Sequence, residues 1–437
     1  MFDEFGNAPE GWEIRQLDEL AESITSGGTP KSGSSRYYTS AGGLPFAKTE
    51  DLSRASSKHI ESCELQITEA ALKDSAAKPY PEGTILVSMY GTIGLTKITA
   101  REMAANQALC ALLAPFSCNA DFLYHQLDFI RPKWSQFSGQ TTQANISGSI
   151  VRKAKVLLPP RNEQSSIAFI LDTLDTQIQK TEALIAKLEK VKEGLLHDLL
   201  TRGIDEHGQL RPRPEQAPEL YKESPLGLIP REWSSPLLDE VAIRGSGHTP
   251  SRSNPAFWDG GVSWVSLSDS KSLDNVWIEK TEKTISELGV ANSSAVIHPA
   301  GTVVLSRDAG IGKSGITKSE MAVSQHFMAW RCGKDLDNLF LYYWLQWMKP
   351  RFEAIALGST IQTIGLRYFE RLRIPTPSFS EQKAISSILL GINERIWKEK
   401  ATRAKALSEK SGLMDDLLTG RVRVTPLLDQ AQITTPA

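Results

Sequence analysis

The sequence predicts an α+β chain: two pseudo-symmetric mixed α/β domains separated by two long helices that pair as an antiparallel coiled coil. Three observations predict it. The sequence is written twice, each copy ends in a heptad-patterned helix, and a proline-rich linker stands between the copies.

The repeat is read from a constant shift of 218 residues. Pro81-Glu-Gly-Thr84 recurs as Pro299-Ala-Gly-Thr302, Ser88 as Ser306, Gly94 as Gly312 and Gln107 as Gln325. Glu163-Gln164 returns as Glu381-Gln382, and Asp198-Leu-Leu-Thr201 as Asp416-Leu-Leu-Thr419. Near each start the shift is slightly larger, taking Thr29-Pro30 to Thr249-Pro250. Such a period is far longer than that of a solenoid, so each copy is a whole domain with its helix.

The elements follow in order. Residues 1–161 form the first domain, with a strand over Thr84–Tyr90 between Gly83 and Gly91, and a helix over Asp121–Phe137. The first long helix occupies about 162–200 of a 162–203 segment, with Asn162 as N-cap and Glu163 facing the positive first turn. Its seam is Ile167, Leu171, Leu174, Ile178, Ile185 and Leu188, at spacings of three, four and seven. Residues 204–225 hold four prolines among charges, a linker composition. The restart Leu228-Ile-Pro-Arg-Glu-Trp233 repeats Asn7-Ala-Pro-Glu-Gly-Trp12 and opens the second domain, 226–379. Tyr343, Trp344 and Trp347 in its helix, Leu339–Phe352, sit at helical spacing and read as core. The second long helix, 380–421, is capped by Ser380 and carries Ile385, Leu389, Ile392 and Ile396. Its middle is weaker, with Glu399, Arg403 and Lys410 on the same track. Residues 422–437 form a polar tail. A helix of about 38 residues is roughly 57 Å long, and its apolar stripe demands a partner, which the other copy supplies.

Composition narrows the function. Lys+Arg number 49 and Asp+Glu 51, a net charge of −2, so bulk charge alone does not hold nucleic acid. The four cysteines form no CxxC and read as reduced thiols. No signal peptide or membrane span is visible, which implies a cytoplasmic protein with no membrane partner.

No catalytic constellation emerges. Gly310-Ile-Gly312-Lys-Ser-Gly315 matches GxGxxG but lacks the helix a dinucleotide site needs, and reads as a turn. Asn254-Pro-Ala-Phe257 approaches the tetrapeptide of amino-group DNA methyltransferases but lacks its second proline and reads as a decoy. The seven histidines are scattered, and no metal site is expected. What remains are polar, glycine-rich loops at matching places in both copies. Their candidate DNA-contacting residues are Thr29, Lys31, Ser32, Arg36, Tyr90, Gln140, Thr141, Thr142 and Gln143 in the first copy. In the second they are His248, Thr249, Arg252, Arg307, Lys313, Thr360 and Gln362. Solvent-exposed turns would use the same residue types.

The pattern resembles the specificity (S) subunit of type I restriction-modification systems. The resemblance rests on the Ile229–Trp233 restart, the two Thr-Pro turns and the strand Pro299–Ser306. It rests above all on the helix starts Leu158–Gln164 and Ile374–Gln382 and the helix ends Asp198–Thr201 and Asp416–Arg421. One departure is Thr201-Arg-Gly203, where the second copy reads Thr419-Gly-Arg421. The resemblance implies a non-catalytic chain with two target-recognition domains separated by two conserved helices. Each domain would read one half of an asymmetric double-stranded DNA target, and the helices would set the spacing and dock two methyltransferase subunits. S-adenosylmethionine is expected on those subunits, with no cofactor on this chain, and motor-endonuclease subunits would join for restriction. The rival readings are a DNA adenine methyltransferase-like enzyme using Asn254–Phe257 and a coiled-coil scaffold.

Overall fold

A computed structural model describes residues 8–137, 145–356 and 363–425. The chain groups into two compact units, Met1–Leu184 with Glu399–Ala437, and Ile185–Lys398.

In the first unit a five-stranded sheet runs in the order Ala21–Ser26, Leu109–Phe116, Ile85–Ser88, Thr96–Thr99, His59–Ile60. A second five-stranded sheet runs Tyr38–Thr39, Leu65–Ile67, Leu44–Ala47, Met103–Ala105, Pro79–Tyr80. Every residue of Ile85–Ser88 is buried, as an unalternating apolar strand should be. It is shorter than the expected Thr84–Tyr90. The helix α1 (Ala120–Ile130) closes one side, and a 3-10 segment, Arg131–Phe137, replaces the rest of the expected Asp121–Phe137 helix.

The second unit repeats the plan. Its five-stranded sheet runs Ala242–Ser246, Phe327–Cys332, Val303–Ser306, Ser314–Thr317, Trp277–Ile278. A four-stranded sheet holds Thr284–Ile285, Trp258–Val265, Met321–Val323 and Ile297–His298. Part of the proline-rich stretch is structured, since Tyr221–Ser224 pairs with Gly227–Pro230.

The long helices are α2 (Arg161–Thr201) and α4 (Phe379–Leu417); α3 (Asn338–Ile355) is the counterpart of α1. Within the first unit, Lys410 Nζ lies 2.6 Å from Asp175 and Arg403 2.6 Å from Glu182. Seven residues forward on α2 is seven backward on α4, so the helices run antiparallel in heptad steps. This also explains why Arg403 and Lys410 stand on the seam track: each meets an acid across the seam. In the second unit Leu199 and Leu200 of α2 share a core with Ile385 and Leu389 of α4. The seam residues Ile167, Leu171, Ile178, Ile185, Leu188, Ile385, Leu389 and Ile396 are buried. Leu174 and Ile392 are only half-buried, and Asn393 takes a buried place beside Ile392.

Both helix starts are fastened alike. Buried Gln164 Oε1 accepts the Asn119 amide at 2.7 Å and its Nε2 donates to Pro159 O at 2.7 Å. Buried Gln382 does the same with Asp337 (2.9 Å) and Pro377 (3.0 Å). Asn119 and Asp337 in turn cap α1 and α3, so one carboxamide aligns two helix N-termini in each unit. The preceding acids bind arginines distant in sequence. Arg423 Nε donates to Glu163 at 2.9 Å, and Arg211 forks onto Glu381, which also accepts Ile204 N–H (3.0 Å) and Trp233 Nε1–H (3.2 Å). The departure at the helix ends proves local: positive-φ glycines follow both, Gly203 (φ 65°) and Gly420 (φ 71°), one place apart in the repeat.

Trp134, Tyr343 and Trp344 are core. All four cysteines are free, and burial pushes the Cys118 thiol up to about 11 and the Cys63, Cys110 and Cys332 thiols to about 12. Among the described residues no helix is long and apolar enough to cross a membrane.

Candidate nucleic-acid interface

In each unit a strand runs out into the Thr-Pro loop, and a glycine fixes the exit. Gly27 follows Ala21–Ser26 and lies so close to the neighbouring chain that a Cβ would meet Asn106 O at 2.1 Å. At Gly247, after Ala242–Ser246, it would meet Val323 O at 1.6 Å. Only glycine allows this approach. It carries Thr29 and Thr249 to the loops that hold Gln107 and Gln325, and both threonine hydroxyls donate to the glutamine Oε1. In the first unit the Gln107 backbone N–H also donates to Thr29 Oγ1 at 3.4 Å. Thr29, Gln107 and Gln325 are exposed and Thr249 half-buried.

Around this shared core the two loops diverge. Lys31, Ser32, His248 and Arg252 are exposed, with no side-chain hydrogen bond or ion pair among the described residues. Arg36 is exposed, 2.7 Å from Asp74 and over the Tyr37 ring. In the second unit Trp264 Nε1 donates to His248 O (3.0 Å) and Trp258 Nε1 to Ser251 O (3.1 Å), so two edge-to-face indoles brace the loop. Tyr38 Oη donating to Pro30 O (2.9 Å) does similar work in the first.

Tyr90 is exposed and bridges Asn145; its equivalent, Asp308, bridges Thr363. Asp308 collects His326 Nδ1 at 2.8 Å and the Thr363 hydroxyl, while Arg307 Nη2 reaches Thr363 at 3.3 Å. Arg307 is thus half-buried in a polar network, and Lys313 Nζ is held by Ser270 O at 3.1 Å. Gln140, Thr141, Thr142, Gln143, Thr360 and Gln362 lie outside the described residues.

The candidates therefore divide. Thr29 and Thr249 occupy equivalent clamps, Lys31, Ser32, Arg252 and His248 flank them, and Arg307 and Lys313 are tied into the protein. Gln107 and Gln325 were absent from the sequence-derived candidates, although the 218-residue shift had already paired them.

The decoy motifs acquire structural roles. Asn254 Oδ1 accepts Ala256 N–H at 3.1 Å, capping the 3-10 turn Pro255–Phe257. Gly310 and Gly312 turn the chain between antiparallel strands Val303–Ser306 and Ser314–Thr317. His125, Asp172 and Asp175 place ligand atoms within 4.8 Å of one another. Lys58 pairs with Asp172 and Lys410 with Asp175, so two ammonium groups already balance these acids.

The model of the type I restriction modification DNA specificity domain matches residues 9–190 and 230–405. A Methanocaldococcus jannaschii protein that carries the name MjaX type I restriction enzyme specificity subunit is 24% identical over 454 residues, covering 96% of each chain. The EcoBI specificity subunit of Escherichia coli is 22% identical over 392 residues, covering 86% of this chain and 78% of that one. The crystal structure of a type I system S subunit from M. genitalium superposes with a TM-score of 0.58 at 15% identity, covering 94% of this chain and 97% of that one.

Proposed function

The chain belongs to the type I restriction-modification DNA specificity family, and from that premise we propose that it reads an asymmetric, two-part DNA target without catalysing a reaction. Each domain reads one half of the target. The helices α2 and α4 set the spacing between halves and dock two methyltransferase subunits, which bind S-adenosylmethionine and do the chemistry. Motor-endonuclease subunits join the same assembly for restriction.

The observation that carries this reading is the doubled Thr–Gln loop on like-ordered sheets, with different polar surroundings in each copy. Equal scaffolds with unequal loops are what two different half-sites require. Bivalency then raises affinity through effective concentration. With a net charge of −2, much of the phosphate neutralisation falls to the methyltransferase partners. The methyltransferase rival loses ground, because the Asn254 side chain is spent on its own cap.

Inserting residues between Thr173 and Lys192 tests the spacing. Methylation-site sequencing of a strain carrying a four-residue insertion is expected to show both half-sites unchanged and a longer spacer. An unchanged spacer contradicts the helical ruler.

A further inference from the structure

We propose that Gln107 and Gln325 are matched contacts to the DNA backbone, each presenting its carboxamide NH2 to a phosphate oxygen in its own half of the target. This rests on the reading that each domain binds DNA, and deepens it by separating what holds the duplex from what reads it.

Three observations converge on these two side chains. First, the clamp is common to both copies: the same threonine hydroxyl, the same glutamine oxygen and the same close-packed glycine beneath the loop. A device shared by two domains does not tell two different half-sites apart. It suits what both halves share, which is the phosphate backbone. Second, the donor is set in advance. The hydroxyl proton goes to Oε1, fixing the amide plane and leaving the Nε2 hydrogens as the outward groups. Among the described residues Gln107 Nε2 has no partner and Gln325 Nε2 has only His326 Nε2, at 3.5 Å. Outward N–H donors fit an oxygen of phosphate, and a side chain ordered beforehand loses less entropy on binding. Third, a cation follows each clamp. Lys31 stands two residues beyond Thr29 and Arg252 three beyond Thr249, both exposed and without an ion pair among the described residues.

Discrimination is left to the parts that differ. These are Tyr90 against the Asp308–His326–Thr363 network, and Arg36 with Tyr37 against the indole-braced loop at Ser251–Trp264.

The test uses the full chain assembled with its methyltransferase subunits, and duplexes carrying the target mapped from methylation by the wild-type complex. Gln107→Ala and Gln325→Ala are each expected to weaken binding about tenfold, with the methylated sequence unchanged. Gln107→Glu is the sharper variant. Its carboxylate still accepts the Thr29 hydroxyl, so the loop stays stapled, but it repels phosphate; the loss is expected to exceed that of alanine with no change in melting temperature. An altered base preference in one half-site would make Gln107 a base reader and overturn the proposal. Unchanged affinity of the glutamate variant would reduce the clamp to a loop staple and overturn it equally. A wild-type complex that methylates no defined sequence would sink the parent reading instead.

Discussion

The two units fasten domain to helix at the same place with opposite chemistry. In the first, α1 meets α2 through charge. His125 Nε2 lies 2.9 Å from Asp172, and Lys58 Nζ bridges Asp172 (2.7 Å) and Asp121 (2.6 Å). Lys410 reaches Asp175 at 2.6 Å. In the second, the residues 218 further on are neutral: Tyr343 stands for His125 and Asn393 for Asp175, and Asn393 Nδ2 donates to Tyr343 Oη at 3.0 Å. The joint occupies the same place in both units while the polar groups at it differ. Buried charge demands complete pairing, whereas a neutral hydrogen bond tolerates isolation. The Asp172 joint therefore depends on pH where the Tyr343–Asn393 joint does not.

The largest expected effect contrasts the two helix-start acids. Glu381 serves Arg211, Ile204 and Trp233, with the Glu381 and Arg211 side chains both 9% exposed. Glu163 serves Arg423, whose side chain is 33% exposed. Glu381→Ala leaves the buried Arg211 guanidinium with the exposed Glu232 as its carboxylate and is expected to cost about 3 kcal/mol. Glu163→Ala is expected to cost about 1 kcal/mol. Denaturant titration of both variants checks the order, and equal losses would remove the distinction.

Acid should loosen the first unit next. Burial raises the Asp172 carboxyl, but hydrogen bonds from His125 and Lys58 outweigh it and hold it below the ordinary 3.8. A carboxyl depressed in the fold stabilises above that value and loses its contribution as pH falls through the folded one. As pH falls below 3.8, α1 amides should exchange faster before α3 amides do. Asp172→Asn should abolish the difference in pH response.

A smaller, opposite contrast sits at His298, which occupies the place of Tyr80. Burial lowers the His298 imidazole below 6.5, against a backbone hydrogen bond at Ser246. The fold disfavours the cation, so stability is full above 6.5 and declines as pH drops below it. His298→Tyr should flatten the thermal midpoint of the second unit across that window. A persistent slope would assign it to another group.

What could be read in the sequence was whatever the repeat or the heptad repeats locally. The 218-residue shift identified equivalent positions before any coordinates, and spacings of three, four and seven located most of α2's seam. Ile392 and Asn393 show the limit: the apolar residue completes the pattern, but the Tyr343 hydroxyl draws the asparagine inward. Glu163 reads as a partner for the helix dipole, yet its guanidinium comes from Arg423, 260 residues away in sequence. No local pattern announces such a pair. Gln107 and Gln325 were visible as a repeat and silent as a site, because a lone glutamine carries no signature until the threonine facing it is known. Arg307 and Lys313 had the right side chains for DNA, but a cation's freedom depends on neighbours such as Thr363 and Ser270.

Exchange of residues 12–158 for the corresponding domain of a family member with a different target, followed by genome-wide mapping of methylated bases, bears most directly on the two-reader account. One half of the recognised sequence should change, with the other half and the spacer retained. A change in both halves together, or in neither, would contradict it.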